Sequence, residues 1–161
     1  MPITARWLAA TLAAMILCAT AAPSFAWDLR KQPDSASTSQ VEGGKRLTLS
    51  CSRGRGTLDL SLSDISAGTD LSAPLREISI SGNLVLWIGM PDGSFTQNAF
   101  TAFDEQGSVA ASIPVDAISW DSFGNGEKLW LQDTAVNDPL FASGMKGTGA
   151  ARLAFLERCG F

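Results

Sequence analysis

Apolar residues recur at every second position in several stretches of this chain, and that alternation sets the expected fold. Leu47, Leu49 and Cys51 interleave with Thr48 and Ser50, and Leu58, Leu60 and Leu62 interleave with Asp59, Ser61 and Ser63. Ser52-Arg53-Gly54-Arg55-Gly56 lies between them. A period of two places successive side chains on opposite faces of a strand, so the pair predicts a β-hairpin with one buried face. Ile78 and Ile80 repeat the pattern, Ser81-Gly82-Asn83 turns, and Leu84–Ile88 returns as a strand. Met90–Gly93 is another turn, with Pro-Asp-Gly its strongest local signal. Ala99–Phe103 and Ser108–Ile113 read as strands around Asp104-Glu105-Gln106-Gly107.

The period changes at Pro114. Pro114–Phe123 predicts one short helix, with proline in its first turn and Gly124 as its stop. Lys128–Gln132 and Pro139–Met145 return to strand, and Gly149–Arg158 is the clearest helical segment. There Ala151, Ala154, Phe155 and Cys159 share one face, Leu156 lies at its margin, Leu153 points elsewhere, and Thr148 is placed to cap. The expectation is a mainly β domain: an antiparallel β-sandwich or curled sheet of about seven strands, closed by a C-terminal helix.

The first 26 residues have a different character. A short segment with one positive charge precedes an almost wholly apolar run from Trp7 to Cys18, and Ser24-Phe25-Ala26 offers small residues at −3 and −1 of a peptidase site. This is the pattern of a cleaved export signal, too short for a membrane span. Cleavage leaves 135 residues with 11 Lys and Arg against 16 Asp and Glu, a net charge of −5. Such a surface has no global field for nucleic acid or an anionic bilayer. The expected location is periplasmic or secreted. Residues 27–44, with Asp28, Lys31, Pro33, Asp34 and Ser35-Ala36-Ser37-Thr38-Ser39, read as a flexible polar leader onto which Trp27 is tacked. The domain is then expected over 45–161.

Export fixes the meaning of the cysteines. Cys18 leaves with the signal; Leu17 and Met15 stand where a lipid-attachment motif wants a small residue and leucine. Cys51 and Cys159 remain, an even pair in an oxidising compartment, and a bond between them is expected.

The chain has no histidine and no tyrosine. That removes Ser-His-Asp and Cys-His catalysis, histidine-ligated zinc, and tyrosine as acid or nucleophile. Ser143-Gly144-Met145-Lys146 matches S-x-x-K, and Lys146-Gly147-Thr148-Gly149 faintly echoes K-T-G, but both fall in one seven-residue stretch where that chemistry needs a helix and a separate strand. Asp121–Glu127 resembles a calcium loop, with Phe123 in a ligand place and Gln132 where the bidentate glutamate belongs. Asp92, Asp104, Glu105, Asp116 and Asp121 supply carboxylates without a demonstrated pair. No catalytic set, metal site or cofactor is expected.

Two surface features remain. Lys45, Arg46, Arg53 and Arg55 form the one basic cluster around the first predicted hairpin, either solvated strand-edge charge or the candidate contact for an acidic partner or anionic lipid headgroup. Trp87, Trp120 and Trp130 sit in apolar contexts and read as core. Trp130 lies opposite Leu129 and Leu131, so one face of that strand is covered or is a contact surface. Leu84–Ile88 is apolar on both faces, as a central strand covered on both sides would be.

The signal, a first strand ending in cysteine, a short helix before Gly126–Leu131, and the closing Gly147-Thr148-Gly149-Ala150-Ala151 to Phe155-Leu156-Glu157-Arg158-Cys159 resemble small alphaproteobacterial envelope proteins. The nearest named likenesses are the invasion-associated locus B proteins and the periplasmic accessory proteins of type VI secretion. The chain departs from the former in having two mature cysteines, and neither resemblance brings a catalytic residue. It implies a non-enzymatic binding or accessory protein whose partner is another envelope protein. The alternative is an inhibitor of a periplasmic or host hydrolase such as a lysozyme or protease, presenting the Pro91–Gln97 turn.

Overall fold

The alternating runs fold as antiparallel ladders. In the computed structural model, which describes residues 26–66, 75–76, 82–105, 107–134 and 138–161, ten strands form two sheets. They are β1 (Asp28–Gln32), β2 (Ser35–Glu42), β3 (Lys45–Ser52), β4 (Thr57–Asp64), β5 (Asn83–Gly89), β6 (Phe95–Thr101), β7 (Phe103–Glu105), β8 (Ser108–Pro114), β9 (Lys128–Asp133) and β10 (Pro139–Gly144). One sheet has the order β1-β2-β3-β4-β8-β7 and the other β10-β9-β5-β6. Helix α1 (Trp120–Asn125) precedes β9, and helix α2 (Thr148–Cys159) follows β10. Ile78 and Ile80 lie outside the described residues.

Period-two patterning determines what is inside. Leu47, Leu49, Leu58, Leu60, Leu62, Val109 and Ile113 of the larger sheet share one buried cluster with Leu84, Leu86, Ile88, Leu129, Leu131 and Phe141 of the smaller. Each such side chain contributes roughly 1.5–3 kcal/mol by leaving water. Exposed ion pairs such as Arg30–Asp28 and Arg53–Asp34 contribute about 0–1 kcal/mol each. The core between the sheets holds the fold together.

Residues 28–42, expected as a flexible leader, are instead the paired strands β1 and β2, and β2 pairs along its whole length with β3. The short side chains that suggested disorder serve close packing. Ala36, Thr38 and Gln40 point inward and are buried, and α2 lies against β2 with Ala151 and Ala154 buried on its inner face. Small residues on both elements let helix and sheet approach. Gly43 and Gly44, both at positive φ, make the two-residue β2–β3 turn, whose twist matches paired strands and which side chains resist. Trp27, just before β1, is also drawn into the core, at 4% exposed.

The single helix expected over Pro114–Phe123 is two pieces. A 3-10 turn at Val115–Ala117 ends at an extended Ile118. Ser119 then caps a new helix, its Oγ accepting the Ser122 N–H, and α1 runs through Gly124 to stop before Gly126. Serine is a preferred N-cap, and Ser119, following the extended Ile118, begins a separate helix where one continuous helix was expected. Thr148 does not cap α2 by its side chain: its Oγ1 donates to the Met145 carbonyl at 2.7 Å, and Gly147 is the N-cap. Cys51 at the end of β3 is bonded to Cys159 at the end of α2, with Cα atoms 6.0 Å apart across 108 residues of sequence.

Candidate functional site

The outer face of the smaller sheet carries the aromatic surface. On β5, Leu84, Leu86 and Ile88 face the core, so Val85, Trp87 and Gly89 face outward. On β9, Leu129 and Leu131 are buried, and Lys128, Trp130 and Gln132 face outward. Register places Trp87 beside Trp130 and Gly89 beside Phe95. The two indoles are parallel within 3°, with centroids 5.8 Å apart, and Phe95 meets Trp87 edge-on at 5.2 Å. The Lys128 ammonium lies 5.8 Å from the centre of the Trp130 ring. A side chain added at Gly89 would meet the Trp130 ring at 3.3 Å, so glycine there leaves room for the indole over the neighbouring strand.

Phe95 is 60% exposed, and Trp87 and Trp130 are each half-buried. The expectation that both tryptophans are core is therefore corrected. Only Trp120 of the three packs against the core, with Phe123, Phe155 and Phe161 around it and its Nε1 donating to the Val115 carbonyl. β5 is a central strand, but the core covers only one of its faces. The Trp87 Nε1 is enclosed by its neighbours without a hydrogen-bond partner among the described residues, an arrangement that costs about 1–3 kcal/mol. Stacking with Trp130 and Phe95, worth roughly 0.5–1.5 kcal/mol per ring pair, offsets it.

The basic residues do not assemble. Lys45 and Arg46 open β3, while Arg53 and Arg55 lie just beyond its far end, about 20–25 Å away at the strand rise. Lys45 Nζ donates to the Leu140 carbonyl at 2.8 Å, tying β3 to β10. Arg46 lines an open groove with Asp28, Arg30, Ser37, Ser39 and Thr48. Arg53 pairs with Asp34 at 2.9 Å and reaches the Glu157 carbonyl, bracing the disulfide end, and Arg55 pairs with Asp59 at 3.6 Å. A single field of four positives is thus replaced by two separated pairs, three of whose members are engaged within the chain.

The remaining motifs are placed as follows. Ser143 is buried with its Oγ on the Gly144 carbonyl, whereas Lys146 is exposed beyond the strand. Asp121 sits in the first turn of α1, paired with Arg152 at 2.7 Å. Among the described residues, no three His, Cys, Asp or Glu side chains group as metal ligands, and no helix is long and apolar enough to cross a membrane. Of the Pro91–Gln97 turn, only Pro91–Ser94 is turn, and Phe95–Gln97 belong to β6.

That turn is fastened by Asp92, whose Oδ1 accepts from the Ser94 hydroxyl at 2.6 Å and the Ser94 N–H at 2.9 Å. These bonds, the hydroxyl first, hold the carboxyl below its ordinary value of 3.8. A depressed folded-state pKa means the turn is supported above that value and loses support as pH falls through the lower one. The Ser94 amide resonance is expected to titrate with a midpoint below 3.8, and Asp92→Asn to abolish that titration. A midpoint at or above 3.8 would remove the fastening. The chain matches no protein-family model, no curated protein and no solved structure.

Proposed function

We propose that this is an exported, non-enzymatic binding protein of the bacterial envelope that docks a protein partner on the outer face of the smaller sheet. One observation carries the reading: Trp87, Trp130 and Phe95 form a contiguous aromatic strip on an outward face, with Phe95 largely in solvent. Aromatic side chains offer large contact area at low conformational cost and are enriched at protein interfaces. Lys128 beside Trp130 and Gln97 beside Trp87 supply polar contacts around the strip. The N-terminal signal pattern supports the location, and the likeness to small envelope proteins supports the accessory role.

The test compares Trp130→Ser with Phe95→Ser against Arg53→Glu with Arg55→Glu. Chemical cross-linking in envelope extract identifies the partner, and titration of the purified pair measures affinity. The aromatic variant is expected to weaken binding at least about tenfold, the loss of one or two buried aromatic anchors, with the arginine variant near wild type. Equal affinity for all three proteins would refute the docking face. Potent inhibition of a lysozyme or protease by the purified chain, abolished by changes in Pro91–Ser94, would replace the reading with the inhibitor.

A further inference from the structure

Among the described residues, the sheets end in four strands, and three of them are protected. β1 carries Asp28, Arg30 and Lys31. β7 is three residues long and includes Asp104 and Glu105. β10 begins with Pro139, has a register shift between Pro139 and Phe141, and gives its Leu140 carbonyl to Lys45. Charge, brevity, proline and irregularity are the usual means of keeping an edge from pairing with another chain. β6 has none of them. Its seven residues, Phe95-Thr96-Gln97-Asn98-Ala99-Phe100-Thr101, include no charge and no proline, pair in unbroken register with β5, and pair with no second strand among the described residues.

The hydrogen-bond phase shows what this edge offers. The Met90 N–H donates to the Ser94 carbonyl and the Ala102 N–H to the Gly82 carbonyl, flanking the ladder at both ends. Since bonded pairs recur every second residue, Thr96, Asn98 and Phe100 use their main-chain groups toward β5. Those of Phe95, Gln97, Ala99 and Thr101 point to the open side.

We infer that β6 is a self-pairing edge: a second copy of this chain adds antiparallel across it, about a two-fold axis through Asn98, joining two four-stranded sheets into one. The sequence of β6 is self-complementary in that register. Phe95 lies beside Thr101 of the second copy and Phe100 beside its Thr96, so each bulky ring meets a small β-branched residue. Gln97 lies beside Ala99, and Asn98 beside itself. The residues whose main-chain groups point outward pair only with one another, giving about eight inter-copy hydrogen bonds. No like charges are brought together, and one patch serves both copies, as a two-fold interface requires. The outer faces run on across the joint, setting Thr101 of the second copy beside Phe95 and leaving the ring's outward face open. This inference does not rest on the proposed docking face, and either can fail alone.

Sedimentation of the oxidised chain beginning at Trp27, over a concentration series, tests it. The wild type is expected to reach twice the protomer mass. Gln97→Pro is expected to stay at protomer mass, with the urea midpoint the wild type shows when dilute enough to be monomeric, because the N–H it removes points to the open side and edge strands accept proline there. If that variant does not fold, Ala99→Lys is the second: it sets two ammonium groups diagonally across the axis and is likewise expected to halve the mass. A wild type that remains monomeric throughout, or dimers that persist in both variants, overturns the inference. So does a monomer whose β6 amides gain exchange protection only on adding an extended peptide, which would put a foreign strand at this edge.

Discussion

Trp27→Ala is expected to destabilise the domain by about 3–5 kcal/mol, the usual cost of deleting a buried tryptophan. The residue is 4% exposed and belongs to the main core cluster. Its Nε1 donates to the Gly144 carbonyl at 2.9 Å, and its main-chain N–H donates to the Lys146 carbonyl at 3.1 Å. It therefore clips the start of β1 to the segment between β10 and α2. Domains of this size have roughly 5–15 kcal/mol in all, so the loss takes a large share. Trp27→Phe keeps most of the ring and gives up the indole hydrogen bond, with an expected cost near 1 kcal/mol plus some packing. Urea unfolding checks both: the midpoint should fall while the slope holds. A Trp27→Ala protein that unfolds with the wild-type midpoint would contradict the burial.

Removing the Cys51–Cys159 bond ranks second. It closes a separation of 108 residues, for which the chain-entropy account gives stabilisation near ~4.7 kcal/mol, with about 2–5 kcal/mol the usual observed range. Both half-cystines are 2% exposed, so Cys51→Ala with Cys159→Ala adds a small packing loss. The expected result is a lower urea midpoint for the reduced wild type and the double variant, with the variant insensitive to reductant. Helix α2 should lose amide protection first, since the bond anchors its last turn to β3. Mass measurement finding Cys51 and Cys159 as free thiols in the unreduced protein would remove the premise.

The residues that announced themselves in the sequence were those with large side chains on alternate positions. Leu47–Cys51 and Leu58–Leu62 gave their strands and inward faces because leucine against serine is a strong contrast, and the pairing of Cys51 with Cys159 followed from there being two cysteines beyond the first 26 residues. β2 was hidden for the opposite reason. Its buried residues, Ala36, Thr38 and Gln40, are small or polar, and their place under α2 is a tertiary fact that no local pattern carries. The first half of β6 was hidden because Phe95–Asn98 follows a strong turn and shows no alternation of polarity. For the candidate face, the phase of Trp130 against Leu129 and Leu131 was the legible signal. What was missing was the neighbour: Trp87 and Phe95 join Trp130 only through the register of three strands. The spacing of the basic residues was not legible, because closeness in sequence along a strand is distance in space: they lie toward the two ends of β3.

The burial of Trp27 has a consequence for the timing of export. On the export reading, the peptidase cuts between Ala26 and Trp27, and such an enzyme needs the chain extended through its cleft on both sides of the bond. In the folded domain Trp27 is held by its indole and its main-chain N–H, so the cleavable conformation and the native one exclude each other. On that reading cutting precedes the docking of β1, and a chain that folded early would keep its leader. Once cut, the new amino group at Trp27 carries a charge and faces the same Lys146 carbonyl, and hydrogen bonds from charged donors are the stronger kind. Processing would therefore tighten the clasp that it had to precede.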